Sequence, residues 1–226
     1  MRRLAFLLAV AGAALAVGAP TASATNECRG FDVCVPLAGP WVLAPPARSV
    51  EFQLTCPRRF IVGGLDAELS SRAVDIVFLG KLGSPISPGV TSTNAAVFIG
   101  RFLGRAGMAS FRPHVGCIPA SGGGQRAPTA LVRVFPPGTP AVRRVVQVAV
   151  HPGTTRRTAG CLRGQHLAAA THAVGFYRRT PPAAALASAV RATQRVRGGR
   201  VQLTVHAGGA IRGAHAVVQV DLVCAR

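Results

Sequence analysis

Two stretches in which apolar and polar side chains alternate both end in a cysteine, and this pattern limits the fold more than any other feature. In residues 50–56, Val50, Phe52, Leu54 and Cys56 share one face and the other face is polar. In residues 216–224, the same spacing puts four apolar residues on the face of Cys224, with Gln219 and Asp221 opposite. A period of two residues is that of a half-buried β-strand. The sequence therefore predicts an all-β fold whose cysteines point into a core.

The cysteines predict a disulfide framework. Their number is even, as is usual in exported proteins that use disulfides: Cys28, Cys34, Cys56, Cys117, Cys161 and Cys224. The two alternating stretches bound similar intervals, so we expect Cys56 to pair with Cys117 and Cys161 with Cys224, which leaves Cys28 and Cys34 to close a small loop. A bridge over such a long loop contributes about 4 kcal/mol in the chain-entropy model. Structural zinc sites use closely spaced cysteine pairs, which the sequence lacks.

Export is predicted from residues 1–24, which have the three parts of a secretory signal peptide. Arg2 and Arg3 precede an apolar run over residues 4–19, and small residues at 22–24 supply a cleavage site before Thr25. A transmembrane anchor needs about 20 apolar residues, whereas this run is shorter and ends at Pro20. We expect a secreted or cell-envelope protein, exported by the general secretory route, without a transmembrane anchor after cleavage.

Charge is distributed unevenly along the chain. Residues 25–75 contain five arginines and six acids, whereas residues 76–226 contain 18 arginines and Lys81 against Asp221 alone. Such a field attracts polyanions and repels cations. The excess of arginine could therefore serve to bind polyanions. The alternative explanation is a GC-rich genome, which favours arginine over lysine and makes alanine, glycine and proline abundant.

A repeated pattern predicts two related modules in tandem. Residues 41–44, a Pro-Pro pair and residues 50–56 are read as strand, turn and strand, and residues 131–135, a second Pro-Pro pair and residues 142–150 are read in the same way. The prolines separate strands because they preset the backbone and cannot donate to a sheet. The predicted organisation is a cysteine-closed segment at 25–39, β-sandwich-like modules at 40–118 and 130–226, and a Gly- and Pro-containing linker at 119–129. Further strands are expected at 74–79, 95–102 and 173–177.

The clearest local signal is a β-hairpin over residues 190–207. With Gly198 and Gly199 as a two-residue turn, the register makes one face apolar except for Gln194 and the other face entirely polar, as a hairpin requires. The polar face then contains four arginines, with His206 beside the first of them: Arg191, Arg195, Arg197 and Arg200. These arginines are the candidate anion-binding residues, because guanidinium groups offer paired donors to phosphate or carboxylate. A helix capped by Thr180 is the alternative, but its apolar stripe is poor.

Cys56-Pro57, followed after five residues by Gly63-Gly64 and closed by a strand ending in Cys117, resembles a module of secreted proteins from high-GC Gram-positive bacteria. Leu222-Val-Cys-Ala225 is similar to the closing strand of that module. The second half departs from the pattern, with Leu162 after its first cysteine and Ala168-Ala169 in place of the glycines. The resemblance implies a small β-sandwich-like unit with a Gly-Gly turn and with no assigned function, so it supplies no catalytic residue.

No catalytic motif is present. The sequence contains no Gly-x-Ser-x-Gly elbow, no His-Glu-x-x-His and no phosphate-binding glycine loop. A hydrolase would have to draw on Asp66, Glu68 or Asp75, of which the first two share a strand face and could act as an acid–base pair. Single residues from several strands can converge on a metal ion, but the spacing of the six histidines does not indicate such a site. They are His114, His151, His166, His172, His206 and His215. Aromatic residues are too few, and not interleaved with the arginines, to suggest stacking on single-stranded nucleic acid.

These features favour a non-catalytic binding or structural protein that engages anionic polymers of the cell envelope, or another protein, without a cofactor. The alternative is a secreted hydrolase with a site assembled across strands. The two differ in what a structure should contain, since an enzyme needs a concave pocket with convergent acids and the binding protein needs only an extended basic face.

Overall fold

The computed structural model describes residues 25–79, 94–105, 107–120 and 142–225. The protein is nearly all β, with several antiparallel sheets and three disulfides, which confirms the predicted fold class. The elements are β1 (Val35–Ala38), β2 (Trp41–Ala44), β3 (Ser49–Thr55), β4 (Phe60–Leu69), β5 (Val74–Leu79), β6 (Ala95–Phe102), β7 (Ala109–Pro119), β8 (Val142–Ala149), β9 (Gly153–Gly160), β10 (His166–Phe176), helix α1 (Ala184–Ser188), β11 (Val190–Arg197), β12 (Arg200–Ala207), a 3₁₀ turn (Gly209–Ile211) and β13 (Ala216–Ala225). Within the described ranges, no helix has the length and apolar character needed to span a membrane.

One large sheet joins both halves of the chain. Its strand order is β4-β7-β2-β10-β13-β8. The short strand β1 also pairs with β7, on the same side as β2 but farther along the strand, so β1 and β2 lie end to end beside β7. The junction between the halves is the antiparallel pair β2 and β10. Two three-stranded sheets complete the fold, β3-β6-β5 from the first half and β11-β12-β9 from the second.

The pairing order of strands β2 to β7 recurs in strands β8 to β13. In each set, the sixth strand lies between the first and the third, and the fifth lies between the second and the fourth. A disulfide joins the residue after the second strand to the sixth strand in both sets. In each set, the second, fifth and fourth strands belong to one sheet, the third and sixth belong to the other, and the disulfide joins the two sheets. Each set therefore forms two packed sheets with a bridge between them.

The two small sheets pack on opposite faces of the large one. Directly paired residues of an antiparallel sheet project to the same side. Val42, Gly175 and Val217 form one such row across β2, β10 and β13, and Val42 and Val217 belong to the core beneath β3-β6-β5. In the adjacent row, Phe176 and Ala216 belong to the core beneath β11-β12-β9. The molecule thus has three layers, with the outer layers displaced from each other along the large sheet.

The three disulfides have the predicted pairing. Cys28 is bonded to Cys34, Cys56 to Cys117 and Cys161 to Cys224. Cys56, Cys117 and Cys224 are buried, as their places on the apolar faces of the strands require. Each long bridge therefore ties a small sheet to the large sheet through the core between them.

The hairpin β11-β12 has the predicted register at all eight cross-strand pairs, from Val190 with Ala207 to Arg197 with Arg200. Gly198 and Gly199 both have positive φ, 54° and 69°, which a tight two-residue turn requires and glycine adopts without steric cost. The competing helix is confined to Ala184–Ser188, and its N-cap is Ala183, not Thr180.

Two expectations about the first half are wrong. Gly63-Gly64 is not a turn but lies inside β4, where the register with β7 shifts by one residue in a β-bulge. A side chain at Gly64 or Gly116 would overlap the carbonyl oxygen of Glu27, so glycine lets the N-terminal segment lie directly on the sheet. We also expected the segment over residues 25–39 to be irregular, but Val35–Ala38 form β1.

Three expectations about the second half need correction. We expected residues 142–150 to be the equivalent of β3, but by their pairing they correspond to β2. The equivalent of β3 is β9. The strand expected at 173–177 begins seven residues earlier, at His166, and ends at Phe176. Strand β13 is buried on both faces because it lies inside the large sheet, with β3 against its second face. Residues 131–135 and the linker beyond Ala120 lie outside the described residues.

Polar side chains join the halves where β3 meets β13. The amide of Gln219 accepts a hydrogen bond from the backbone N–H of Gln53 at 2.6 Å and donates to its carbonyl at 3.1 Å. Gln219 is 1% exposed. It satisfies the backbone N–H and C=O of Gln53 in β3, which is an edge strand and has no neighbouring strand on that side. This contact joins an outer sheet to the large sheet without a strand pairing between them.

Candidate functional site

The outer side of the sheet β11-β12-β9 is a strongly basic surface, which we call the arginine face. Cross-strand pairing puts twelve residues on it, in four rows of three. The rows contain five arginines, one histidine, four threonines, one glutamine and one glycine: Arg197, Arg200 and Gly160; Arg195, Gln202 and Thr158; Thr193, Thr204 and Arg156; Arg191, His206 and Thr154. All five arginines are exposed. The face therefore presents guanidinium groups among short hydroxyl side chains.

The arginine face contains no acid. The ion pairs of the described residues are made by Arg112, His114 and Arg143, so none of the five arginines has a carboxylate within ion-pair distance in this part of the chain. The Thr154 hydroxyl and the His206 ring nitrogen Nδ1 are 2.9 Å apart and form a hydrogen bond at the margin of the face. Since like charges opposite each other destabilise a sheet, the pair Arg197 and Arg200 is a local cost of this arrangement.

The four arginines predicted from the hairpin pattern all lie on this face, with His206 opposite Arg191. Sequence reasoning missed Arg156, which β9 adds from the other side of β12. The signal was present in the alternation of Thr154, Arg156 and Thr158, but neither face of β9 is apolar over its length. Strand β9 therefore did not stand out as a strand.

A shallow depression of about 500 Å³ lies on the arginine face. Its lining includes Arg156, Arg195 and Gln202, which come from three different strands. A flat sheet face with a shallow depression can make contacts along an extended chain, whereas enclosing a compact substrate needs a concave pocket. The geometry of the arginine face is thus that of an open surface and not of an enclosed pocket.

A second depression, which we call the end cleft, lies where the hairpin turn approaches the large sheet. It has a volume of about 660 Å³, and its lining includes Arg144, Arg157, Arg200 and His166. Arg144 donates a hydrogen bond to the Gly160 carbonyl at 2.6 Å, which links β8 to β9 across the sandwich. Arg157 lines both depressions, so the end cleft continues from the arginine face.

The acids proposed for catalysis lie beneath the N-terminal segment. Glu68 and His114 approach within 2.8 Å, and the other ring nitrogen of His114 lies 3.5 Å from Glu27. Glu68 also contacts Arg112 at 3.4 Å, and Asp66 accepts a hydrogen bond from the Asn26 backbone at 2.6 Å. Glu27 and His114 are 3% and 5% exposed. These contacts attach residues 25–27 to β4 and β7 and leave no open carboxylate pair for a substrate.

Asp75, the third acid considered for catalysis, is exposed on β5, where it is paired across the sheet with Arg101. It is distant in the sheet from Asp66 and Glu68, which lie on β4. The three acids therefore do not converge on one site.

A second buried charge cluster joins the halves. Arg143 donates from one nitrogen to Glu51 at 2.7 Å and to Asp221 at 2.5 Å. Burial raises the pKa of the Asp221 carboxyl, and the nearby Arg143 charge opposes that rise. For Arg143, burial lowers the pKa, but its contacts with Glu51 and Asp221 outweigh this effect and raise the pKa. One arginine on β8 thus contacts two acids, one from β3 and one from β13.

The histidines do not form a metal site. Among the described residues, no three His, Cys, Asp or Glu side chains are placed to hold a metal ion. His172 lies between the large sheet and β11, near Gln194 Oε1 at 3.0 Å and the Ala192 carbonyl at 3.1 Å. Burial lowers the pKa of His172, with a smaller contribution in the same direction from Arg48.

Comparison with known proteins supplies no relative from which residue roles could be transferred, and the resemblance to secreted cysteine-bounded modules stays a prediction. No family model matches the chain, and neither a curated protein nor a solved structure matches it at a significant level.

Proposed function

We propose that this is an exported, non-catalytic binding protein whose arginine face engages an anionic polymer of the cell envelope or extracellular space. The observation that supports the proposal is that five arginines from three strands lie on one exposed face that contains no acid, and that none of them has an ion-pair partner among the described residues. Guanidinium groups donate in pairs to carboxylates and phosphates, and the face is long enough to contact several repeats of a chain.

A non-catalytic role is supported by the use of the acids. Glu27, Glu51, Asp66, Glu68 and Asp221 all form contacts inside the fold. The two depressions near the arginines are lined by basic, polar and apolar residues, with no acid among them. A hydrolase that uses two carboxylates has no free pair to draw on in the described part of the chain.

We further propose that the chain is a duplication of one β-module, since the same pairing order and the same inter-sheet bridge occur twice. Three disulfides favour an oxidising compartment, in agreement with the predicted signal peptide. Intact-mass measurement of the secreted protein should give a mature chain that starts at Thr25 and contains six oxidised cysteines. A chain that retains residues 1–24 would contradict export by cleavage.

The binding proposal is tested with a triple variant of the arginine face, Arg195→Ser, Arg197→Ser and Arg200→Ser. A polymeric acidic glycan such as polygalacturonate should bind the mature, oxidised wild-type protein with an affinity that falls steeply as salt rises, because bound counterions are released. The triple variant should lose most of this affinity. Isothermal titration at several salt concentrations measures both effects.

The matched control removes three exposed arginines elsewhere: Arg72→Ser, Arg101→Ser and Arg105→Ser. Arg112 is unsuitable for the control because it contacts Glu68 and the Gly39 carbonyl, so its removal would disturb the fold. If the site lies on the arginine face, the control retains most of the affinity. Equal losses from the two triple variants would indicate a diffuse field effect and would contradict the proposal.

A further inference from the structure

The end cleft combines cationic side chains with apolar ones. Its buried and half-buried residues include Val146, Ala159, Leu167 and Cys161, the last in the disulfide with Cys224. Its exposed residues include His166 and three cations, Arg144, Arg157 and Arg200. The deeper part is therefore apolar, and the cations surround the mouth.

A ligand for such a cleft needs both an apolar surface and an anionic group. Apolar lining gains free energy only when a ligand with apolar surface displaces the water that covers it. A sugar ring has a face of C–H groups that can cover Val146 and Leu167, while a carboxylate on the same ring can accept paired hydrogen bonds from a guanidinium. The polar lining residues Thr158 and Gln165 are suited to the ring hydroxyls.

A polyphosphate fits this chemistry poorly. Every unit of its backbone is charged and strongly hydrated, so it would cover the apolar lining without an apolar surface of its own. The twelve residues of the arginine face include no apolar side chain, so polyphosphate and acidic glycan would be held there by the same guanidinium contacts. The end cleft is therefore the part of the molecule that distinguishes these two polymers.

We propose that the end cleft binds a single acidic sugar residue, and that the polymer on the arginine face is consequently an acidic glycan. The statement about the polymer rests on the proposed function, whereas the statement about the cleft depends only on its own lining. Arg157 and Arg200 contribute to both surfaces through their positions at the mouth, so that one glycan chain extends from the cleft along the sheet.

The test uses a ligand too short to span the arginine face. Trigalacturonate, its fully methyl-esterified form and tripolyphosphate are titrated into the mature, oxidised protein by calorimetry. Trigalacturonate should bind most tightly, and esterification should weaken binding by about tenfold or more, since it removes charge-assisted hydrogen bonds. The methyl NMR signals of Val146 and Leu167 should shift with trigalacturonate and not with tripolyphosphate.

Two double variants with equal charge change locate the site. Arg144→Ser with Arg157→Ser should weaken trigalacturonate binding by about tenfold or more, whereas Arg101→Ser with Arg105→Ser, at exposed residues outside both depressions, should change it by less than about threefold. Because Arg144 also bonds to Gly160, thermal melting checks that the first variant is folded. The NMR shifts in the wild-type protein provide the location if it is not.

The outcomes separate this inference from the proposed function. If polygalacturonate binds through the arginine face but trigalacturonate does not bind, the cleft inference is wrong and the proposed function stands. If trigalacturonate binds in the cleft but the arginine-face triple variant leaves polymer binding unchanged, the proposed function is wrong and the cleft site stands. Tripolyphosphate that binds as tightly as trigalacturonate, without methyl shifts, would overturn the cleft inference.

Discussion

Individual charged residues explain why the surface of this protein is so basic. Of the seven acids in the sequence, five form contacts within the fold, to His114, Arg112, Arg143 or the backbone of Asn26. Only Arg112 and Arg143 among the described arginines share in these ion pairs. The remaining arginines have almost no acidic neighbours, so the excess positive charge is found on exposed faces.

Arg143→Met tests the buried cluster at the junction of the halves. Asp221 is 1% exposed, and the loss of its partner should reduce the free energy of unfolding at pH 7 by on the order of 3 kcal/mol. Urea denaturation measures the change. Arg163→Met, at an exposed arginine in the connection between β9 and β10, is the matched control and should have little effect.

The stability that Arg143→Met loses should depend on pH. The pKa of Asp221 is already raised by burial, and the loss of the Arg143 charge should raise it further. A raised carboxyl pKa means that the folded state holds the proton more tightly, so the stability it contributes is present at low pH and is lost as pH rises through the folded pKa. The deficit relative to wild type should therefore be smaller at pH 4 than at pH 7. A deficit independent of pH would show that Asp221 is not its source.

His172 predicts a loss of stability in mild acid. Its pKa is lowered from 6.5, chiefly by burial, so the unfolded chain binds the proton more readily than the folded chain. The associated stability is present above pH 6.5 and is lost as pH falls, by at most about 1.4 kcal/mol per pH unit. His172→Gln should reduce this slope between pH 7 and pH 5 in urea denaturation, with exposed His166→Gln as the control. If the stability of His172→Gln fell with pH as steeply as that of the wild type, groups other than His172 would be responsible for the loss.

At the scale of single elements, the N-terminal segment depends on two glycines. Gly64 in β4 and Gly116 in β7 lie side by side in the register and leave room for the backbone of Glu27. The side chain of Glu27 then reaches His114 on the same face of β7. A bulge in β4 and a disulfide-closed loop thus function together as one structural unit.

Gly64→Ala should destabilise the protein because the added methyl group overlaps the Glu27 carbonyl. We expect a loss of about 2 kcal/mol, as for other overpacked sites, and faster proteolysis of the N-terminal segment. Gly209→Ala is the control, since no atom lies within contact distance of a methyl group there. Equal stability of the two variants in urea denaturation would mean that the segment can shift without cost.

Elements with strong periodicity could be predicted from the sequence, and those without it could not. The hairpin β11-β12 was predicted to the residue because its glycine turn and its two-residue period agree. Strand β9 escaped detection because it is an edge strand whose polar residues need no apolar partner. For β4, the two glycines suggested a turn. Their actual role is to leave room for Glu27, which is nearly forty positions away in the sequence, so the local pattern could not show it. The positions of the four hairpin arginines on one face were therefore predicted, whereas the contribution of β9 and the end cleft were not.

The whole molecule is organised by the antiparallel junction of β2 and β10. Each half contributes three main strands to the large sheet, so an antiparallel junction reverses the strand directions of the second half relative to the first. Reversal about an axis in the sheet also turns over its packed face, which explains why the two small sheets lie on opposite sides. No pattern within one half of the sequence encodes this relation, and the prediction of separate tandem modules therefore did not include a shared sheet.

Cleavage of the chain between the halves should not separate them. A protease site introduced between residues 121 and 141 would cut between β7 and β8, yet the β2-β10 pair, the Gln219 contacts with Gln53 and the Arg143 cluster would all remain. Size-exclusion chromatography of the cut protein should give one species with both fragments. Separate elution of the fragments in the absence of denaturant would show that the halves are independent.

The arginines of β9 and β11 have one more consequence, because these strands are the two edges of their sheet. An uncovered edge offers unpaired backbone groups to the edge of another molecule, and charged side chains are a common protection against such pairing. Arg156 and Arg157 on one edge and Arg191, Arg195 and Arg197 on the other would repel a second copy that approached with the same edge. Neutralising them by substitution, or by a bound polyanion, should therefore favour edge-to-edge association, so that the ligand would also bring copies of this protein together along its length.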